Sequence, residues 1–444
     1  MNPSTTQTAT RAKAAKIAPA VRMLDAIVTL VGRQGYAATT VTDVIELSAA
    51  SRRTFYQHFS DRQDCLLRAA EELTVTWVAA CEAAVERAKE REEPAVDAFV
   101  SQLFVLTIGN PSALRLLLTD VGGAGDPGLA HHRRLLEGLG GALGEALDGR
   151  RTPGGVRGVG STRTEPLVAE ALAGAILQIS YVRAFRGVRV GSPRRRELMD
   201  LVPDVAEWAR ACGTAPTPEL VVGEYPPPVG GRAPGTLSPH MDAKRRRALA
   251  HSERTVSRSF VVHNQRERIL DAIANLSAAK GYSAVSIPAL VTEANVSVQA
   301  LYEHFVDKED ALLVAYQLGH RKALALTEQA FEAHTSRRDG VPAAVATVLS
   351  FLASEPSFAH VALIDMPAAS GRLAGIANQG TAAYVELLKP EASPSRHEPA
   401  VSTEASTYAI GTLCRLYLLD HKAQEMSALV DVATHLALGP RTRP

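Results

Sequence analysis

The sequence predicts an all-α chain built from two tandem helical units, and three observations carry that prediction. Apolar residues recur at three- and four-residue spacing through nearly every segment between glycine and proline breaks, while strand-type alternation is almost absent. One pattern occurs twice at a constant offset of 246 positions (36 to 282). Gly35-Tyr36 answers Gly281-Tyr282, and Tyr56-Gln57-His58-Phe59 answers Tyr302-Glu303-His304-Phe305. Asp61, Asp64, Leu66 and Leu67 answer Asp307, Asp310, Leu312 and Leu313. A fixed period of this kind marks a duplicated structural unit. Between the copies, Gly213 to Pro239 is crowded with proline, Pro226-Pro227-Pro228 included, so it holds no regular element and reads as the inter-unit linker.

The elements follow in order. Residues 1–18 form a basic arm without a packed pattern, and a helix runs from about 20 to 34, stopped by Gly35 at the C′ position. A helix-turn-helix follows, then a long helix from 61 to about 91 and further helices near 94–109, 111–121 and 128–147. Residues 150–163 are too glycine-rich to hold a helix. Two helices, near 166–186 and 193–212, close the first unit. The second unit repeats the plan: a basic lead-in from Lys244, a helix at 264–280, the motif, and a long helix at 307–333. Helices near 341–354, 356–366 and 374–388 come next, then a Pro/Ser/Glu break at 389–399 and two last helices at 401–421 and 422–438.

In the first motif Thr40 is placed to cap a short helix with Asp43 three residues on, and Val41, Val44 and Ile45 form its buried stripe. Ser48-Ala49-Ala50 makes the turn, and Ser51 caps the next helix. There Phe55 and Phe59, four residues apart, face the core together. That orientation turns Arg52, Arg53, Thr54, Tyr56 and Gln57 outward, at the end from which a recognition helix reaches base edges. Arginine is the usual bidentate partner of guanine, so Arg52 and Arg53 are the candidates for direct readout. Tyr56, His58 and Arg62 suit phosphate contacts, the alternative for Tyr56 being that its ring simply packs. In the second motif Ser286 and Ser297 cap, and the outward positions are Val298, Gln299, Ala300, Tyr302 and Glu303. The arginines are replaced there. Gln299 can pair with adenine, and Val298 or Ala300 can touch a thymine methyl, while His304 and Lys308 answer His58 and Arg62. The capping residues border this surface and are counted in it.

These motifs resemble the DNA-binding domains of the tetracycline-repressor (TetR) family, over about residues 20–70 and 266–316. The turns depart from the family in carrying Ala49 and Asn295, where glycine is common. The resemblance implies two TetR-like units, each with a three-helix DNA-binding domain (19–66 and 244–312) and a helical effector and dimerisation domain (67–213 and 313–440), joined by a linker at 214–243. Dimerisation through the last two helices of each unit implies an intramolecular pseudo-dimer, a monomer that supplies both halves of the usual dimer. Unlike recognition helices then imply a transcriptional regulator, by expectation a repressor, that reads a non-palindromic operator in double-stranded DNA. A small apolar effector is expected to release it. Single-chain double repressors are known among regulators of lipid or sterol uptake and catabolism, which makes a lipid- or sterol-related effector the hint about pathway. The alternative is that the second unit no longer reads DNA, serves as a dimerisation or sensor partner, and leaves two chains to read a palindrome through the first unit.

Each effector domain can enclose a cavity. Phe99, Leu103, Phe104, Thr107, Leu117 and Tyr181 in the first unit, and Phe351, Phe358, Met366, Tyr384 and Tyr408 in the second, are the candidate linings, although on base rates most such residues are core. The formal net charge of +1 over 444 residues gives no global sign of a nucleic-acid partner, so the basic footprint is local. It includes Arg11, Lys13 and Lys16 and the run Lys244-Arg245-Arg246-Arg247, which either enter minor grooves or are simply solvated. Cys65, Cys81, Cys212 and Cys414 are scattered, which suits buried reduced thiols rather than a zinc site. Gly154-Gly155 and their neighbours lack the strand and the Gly-Lys-Ser/Thr of a phosphate loop. His131-His132-Arg133-Arg134 reads as solvated helix surface, with poor geometry for a metal. No catalytic motif, metal or cofactor site, signal peptide or membrane span is evident, so the expectation is a cytoplasmic protein that is not an enzyme.

Overall fold

The computed structural model describes residues 18–149, 164–185, 194–213, 258–369, 371–389 and 401–439, and among those residues every regular element is helical. The basic arm, the 150–163 segment, the proline-rich linker, the Lys244 lead-in and most of the 389–399 break lie outside them. The first unit comprises α1 (Pro19–Gln34), α2 (Val41–Ser48), α3 (Arg52–His58), α4 (Arg62–Glu90), α5 (Ala95–Gly109), α6 (Pro111–Leu118), α7 (Asp126–Asp148), α8 (Pro166–Phe185), α9 (Arg194–Asp200) and α10 (Val202–Cys212). The second comprises α11 (Arg258–Lys280), α12 (Ile287–Ala294), α13 (Val298–His304), α14 (Lys308–Glu332), α15 (Arg337–Ser354), α16 (Pro356–His360), α17 (Met366–Ala368), α18 (Gly371–Leu388), α19 (Ser402–Leu419) and α20 (Val430–Leu438). A 3₁₀ turn, Asp120–Ala124, follows α6, and its counterpart after α16 is a π turn, Val361–Asp365.

Side-chain caps set the short opening helices. Thr40 accepts from the Asp43 N–H, and the Asp43 carboxylate accepts in return from the Thr40 N–H at 2.7 Å. Ser51 accepts from Thr54 at 3.0 Å and Asp61 from Asp64 at 2.8 Å; Ser286, Ser297 and Asp307 repeat the scheme. The turn residues Ala49 (φ 51°) and Asn295 (φ 52°) both adopt the left-handed conformation. Asparagine tolerates it, whereas alanine holds it at a steric cost of about 1–2 kcal/mol.

Each head is pinned to its body through the Gly-Tyr loop. Gly35 (φ 83°) and Gly281 (φ 75°) turn the chain so that the next backbone N–H points inward. The Tyr36 N–H donates to Asp120 Oδ1 at 2.8 Å and the Tyr282 N–H to Asp365 Oδ1 at 3.0 Å. Asp120 is held by Arg115 at 2.9 Å, while His360 lies against Asp365 at 2.8 Å.

The two units pack together through α8 and α19, aided by α10. A Cβ on Gly174 would lie 2.4 Å from Thr412 Cγ2, so glycine there permits the close approach. Across the same boundary Trp208 Nε1 donates to Ser406 Oγ at 3.1 Å, Arg183 pairs with Glu404, and Arg133 pairs with Asp420 at 3.2 Å. Helix α8 is long and apolar enough to cross a membrane by composition, but 78% of that stretch is buried inside the fold. Pro342 lies inside α15, past its first turn, where the missing N–H forgoes one i→i−4 hydrogen bond.

Candidate nucleic-acid interface and effector cavity

In α3, Phe55 and Phe59 are 0% and 2% exposed and anchor the helix, so its opposite face is free. Arg52, Arg53, Tyr56, Gln57 and His58 are exposed and Thr54 is half-buried. Neither Arg52 nor Arg53 has an ion-pair partner among the described residues. In α13, Leu301 and Phe305 take the anchoring roles, and Val298, Gln299, Tyr302 and Glu303 are exposed. Gln299 Nε2 donates to Glu303 Oε1 at 3.0 Å, one turn along the same face. The face of α3 therefore presents two guanidiniums and no carboxylate, and that of α13 a carboxylate and no lysine or arginine.

Several expected residues stand elsewhere. Ala300 is buried at 6% exposure, because it shares the stripe of Leu301 that packs on α11, and it cannot touch a thymine methyl. Arg62 turns inward, donating to the carbonyls of Tyr36 and Thr39 with its guanidinium 4.2 Å from the Tyr36 ring centre. Lys308 does the same, donating to Val285 O at 2.8 Å with its ammonium 4.5 Å from the Tyr282 ring centre. Both brace the Gly-Tyr loop rather than standing out toward phosphates. Burial, then Arg266, pushes the half-buried His304 imidazole below its usual pKa. His132, expected on a solvated surface, is buried with Nδ1 3.0 Å from Leu117 O, and burial brings its pKa down to about 3. All four cysteines are buried thiols, each pushed up to about 12 by burial. No cluster of metal-ligating side chains occurs among the described residues.

The second unit holds a partly open cavity of about 130 Å³ between α14, α15, α18, α19 and the π turn. Phe358 and Tyr384 line it. Phe351, Met366 and Tyr408 do not: Phe351 packs edge-on against Phe358, Met366 is fully buried, and the Tyr408 hydroxyl donates to Glu404 beside the inter-unit boundary. Sequence reasoning missed Tyr316 and His320, whose rings stack at 5.4 Å in the wall. In the first unit Phe99, Leu103, Phe104 and Thr107 are wholly buried, and Leu117 and Tyr181 nearly so. Burial depresses the pKa of His320.

The π turn joins these features. Ala362 and Leu363 are cavity wall, and Asp365 pins Tyr282 of the second head. The same turn and α17 after it face the 3₁₀ turn that pins the first head, with Ile364 and Ala368 3.8 and 3.7 Å from where a Gly122 Cβ would stand. Ser283 of the second head donates to the Gly123 carbonyl of that turn.

The model of the tetR family of bacterial regulatory proteins matches residues 23–69 and again 269–315. No curated protein matches the chain significantly. Among solved structures, the transcriptional regulator FadR from Bacillus subtilis, in complex with stearoyl-CoA, is similar at 16% identity and a TM-score of 0.33, over 38% of this chain and 96% of its own. The fatty acid degradation regulator FadR from Bacillus halodurans is similar at 19% identity and a TM-score of 0.34, over 39% of this chain and 98% of its own.

Proposed function

The chain belongs to the tetR family of bacterial regulatory proteins, as two tandem units, and on that premise we propose that it is a single-chain repressor reading a non-palindromic operator under the control of one apolar ligand. Arg52 and Arg53 read guanines in one half-site, with Thr54, Tyr56, Gln57 and His58 beside them. Gln299, Val298 and Tyr302 read a different half-site. The packing of α8 on α19 supports a pseudo-dimer in which tethering replaces bimolecular assembly, at an effective concentration on the order of millimolar.

The observation that carries the regulatory half is the π turn, which is at once cavity wall, pin of the second head and neighbour of the first head's pin. A ligand that favours one position of this turn biases the separation of both heads, and DNA binding responds to that bias.

The test is footprinting of R52A/R53A on a selected operator. Protection should weaken at one half-site while the other stays in register; equal loss on both halves contradicts the reading. A second reading has its own support: the exposed Glu303 and the buried Ala300 leave α13 poorly furnished for DNA. In that case the second unit acts as sensor only, and a Q299A/Y302A variant binds operator as tightly as the parent.

A further inference from the structure

The two effector-side bundles share a register but are filled differently. Along α4 and α14 the offset of 246 places Trp77 opposite Ala323 and Cys81 opposite Thr327. From α5 and α15 onward the offset is 245, fixed by Pro111 and Pro356 at the starts of α6 and α16 and by the head-pinning Asp120 and Asp365. It places Phe99 opposite Ala344 and Leu103 opposite Val348. Trp77 is 3% exposed, and Phe99 and Leu103 are wholly buried. Ala323, Ala344 and Val348 instead line the second unit's cavity. Bulk at these positions fills the corresponding space in the first bundle, and its absence opens the second.

The cavity has an apolar body and one polar corner. Among its described lining residues there is no lysine, arginine, aspartate or glutamate. Its polar corner is the cluster of Tyr316, His320 and Tyr384, with His320 stacked on Tyr316 and edge-on to Tyr384 at 5.6 Å. None of the three has a hydrogen-bond partner among the described residues. A Cβ on Gly380 would fall 2.0 Å from the Tyr316 hydroxyl, so glycine there makes room for that hydroxyl. Polar groups held unpaired at the edge of an apolar space are unfavourable unless something meets them.

We propose that the second unit alone senses a ligand, and that this ligand is a compact, uncharged, ring-sized apolar molecule carrying one hydrogen-bonding group. Its apolar body fills the space beside Ala323, Ala344 and Val348, and its polar group meets Tyr316, His320 and Tyr384. The size argument is direct: an apolar cavity of about 150 Å³ in another protein accepts benzene, and this one measures about 130 Å³. The charge argument follows from the lining, since a carboxylate placed there would be buried without a cation. The inference deepens the regulatory reading and rests on it for the effect at the operator, but not for binding itself.

The test is calorimetric titration of the full chain with phenol, toluene and benzoate at neutral pH. Phenol should bind saturably at one molecule per chain, with benzoate weaker by at least about tenfold. A344F, which copies Phe99, should weaken phenol by about tenfold or more while the variant still unfolds cooperatively. Y384F should weaken phenol by about threefold to tenfold and leave toluene unchanged. The reverse substitution F99A should raise the stoichiometry toward two, and the gentler L103V serves if F99A does not fold. No phenol binding, two sites in the parent chain, equal affinity for benzoate, or an A344F variant that binds as the parent does would each overturn the inference. Binding as expected with no change in operator affinity would instead sink the ligand-controlled repressor and leave this site standing.

Discussion

Replacing Gly174 by alanine tests how closely the two halves of the chain embrace. A Cβ there would stand 2.4 Å from Thr412 Cγ2, 2.7 Å from its Oγ1 and 3.1 Å from its Cβ. Carbon atoms in contact prefer about 3.5–4.0 Å, so α8 and α19 must separate by roughly 1 Å or Thr412 must leave its rotamer. Thr412 is 5% exposed and its hydroxyl donates to the Tyr408 carbonyl at 2.9 Å, so it has little freedom to turn. Overpacking of this kind costs about 1–3 kcal/mol. Alanine's better helix propensity returns about 0.5–1 kcal/mol, which leaves G174A less stable by about 0.5–2 kcal/mol. T412A removes the two nearest atoms and leaves only the 3.1 Å approach, which a shift of a few tenths of an ångström relieves. Denaturant titration of the parent, G174A, T412A and the double variant should therefore give a coupling energy of about 1 kcal/mol or more, with the double variant more stable than the sum of the single changes implies. Additivity within about 0.5 kcal/mol would refute the reasoning, because residues not in contact do not couple.

Three further outcomes are expected. Burial, opposed by Lys322, raises the Glu355 carboxyl to about 7, so its protonated form supports the fold below about pH 4.5 and that support is lost as pH rises through about 7. E355N, which copies the cap that Asn110 provides to Ala113 in the first unit, should gain about 1–2 kcal/mol at pH 8 after solvent screening of the half-buried group, narrowing toward the cap's own contribution at pH 4.5; denaturant midpoints across that range check it. A49G should stabilise the first head by about 1 kcal/mol in thermal unfolding by releasing the left-handed alanine. E303Q, which copies Gln57, should tighten operator binding by about twofold to tenfold at low salt and less at high salt; an unchanged affinity at both would show that α13 stands clear of the phosphates.

What the sequence revealed and what it hid divide along the range of the interactions. The helix-turn-helix was legible because its determinants are local: caps at Thr40, Ser51, Ser286 and Ser297, and a Phe55/Phe59 pair one turn apart. The destinations of Arg62 and Lys308 were not, since each is decided by a tyrosine ring and carbonyls more than twenty positions away. Ala300 misled for a related reason, as a small side chain carries no mark of the face it occupies. The helix near 193–212 breaks into α9 and α10, where the chain restarts at Val202-Pro203. The helix expected at 422–438 opens as a 3₁₀ segment, Ala423–Leu429. The cavity was hidden because it is missing volume: aromatic residues advertise themselves, whereas Ala323 and Ala344 gain meaning only beside Trp77 and Phe99. Comparing the copies position by position is the signal that finds it.

The most direct measurement is the mass of the complex formed with an operator selected from random duplexes, read together with its footprint. One 47.3 kDa chain per duplex, with two unequal protected half-sites, is the predicted result. Two chains per duplex on a two-fold symmetric footprint would contradict it.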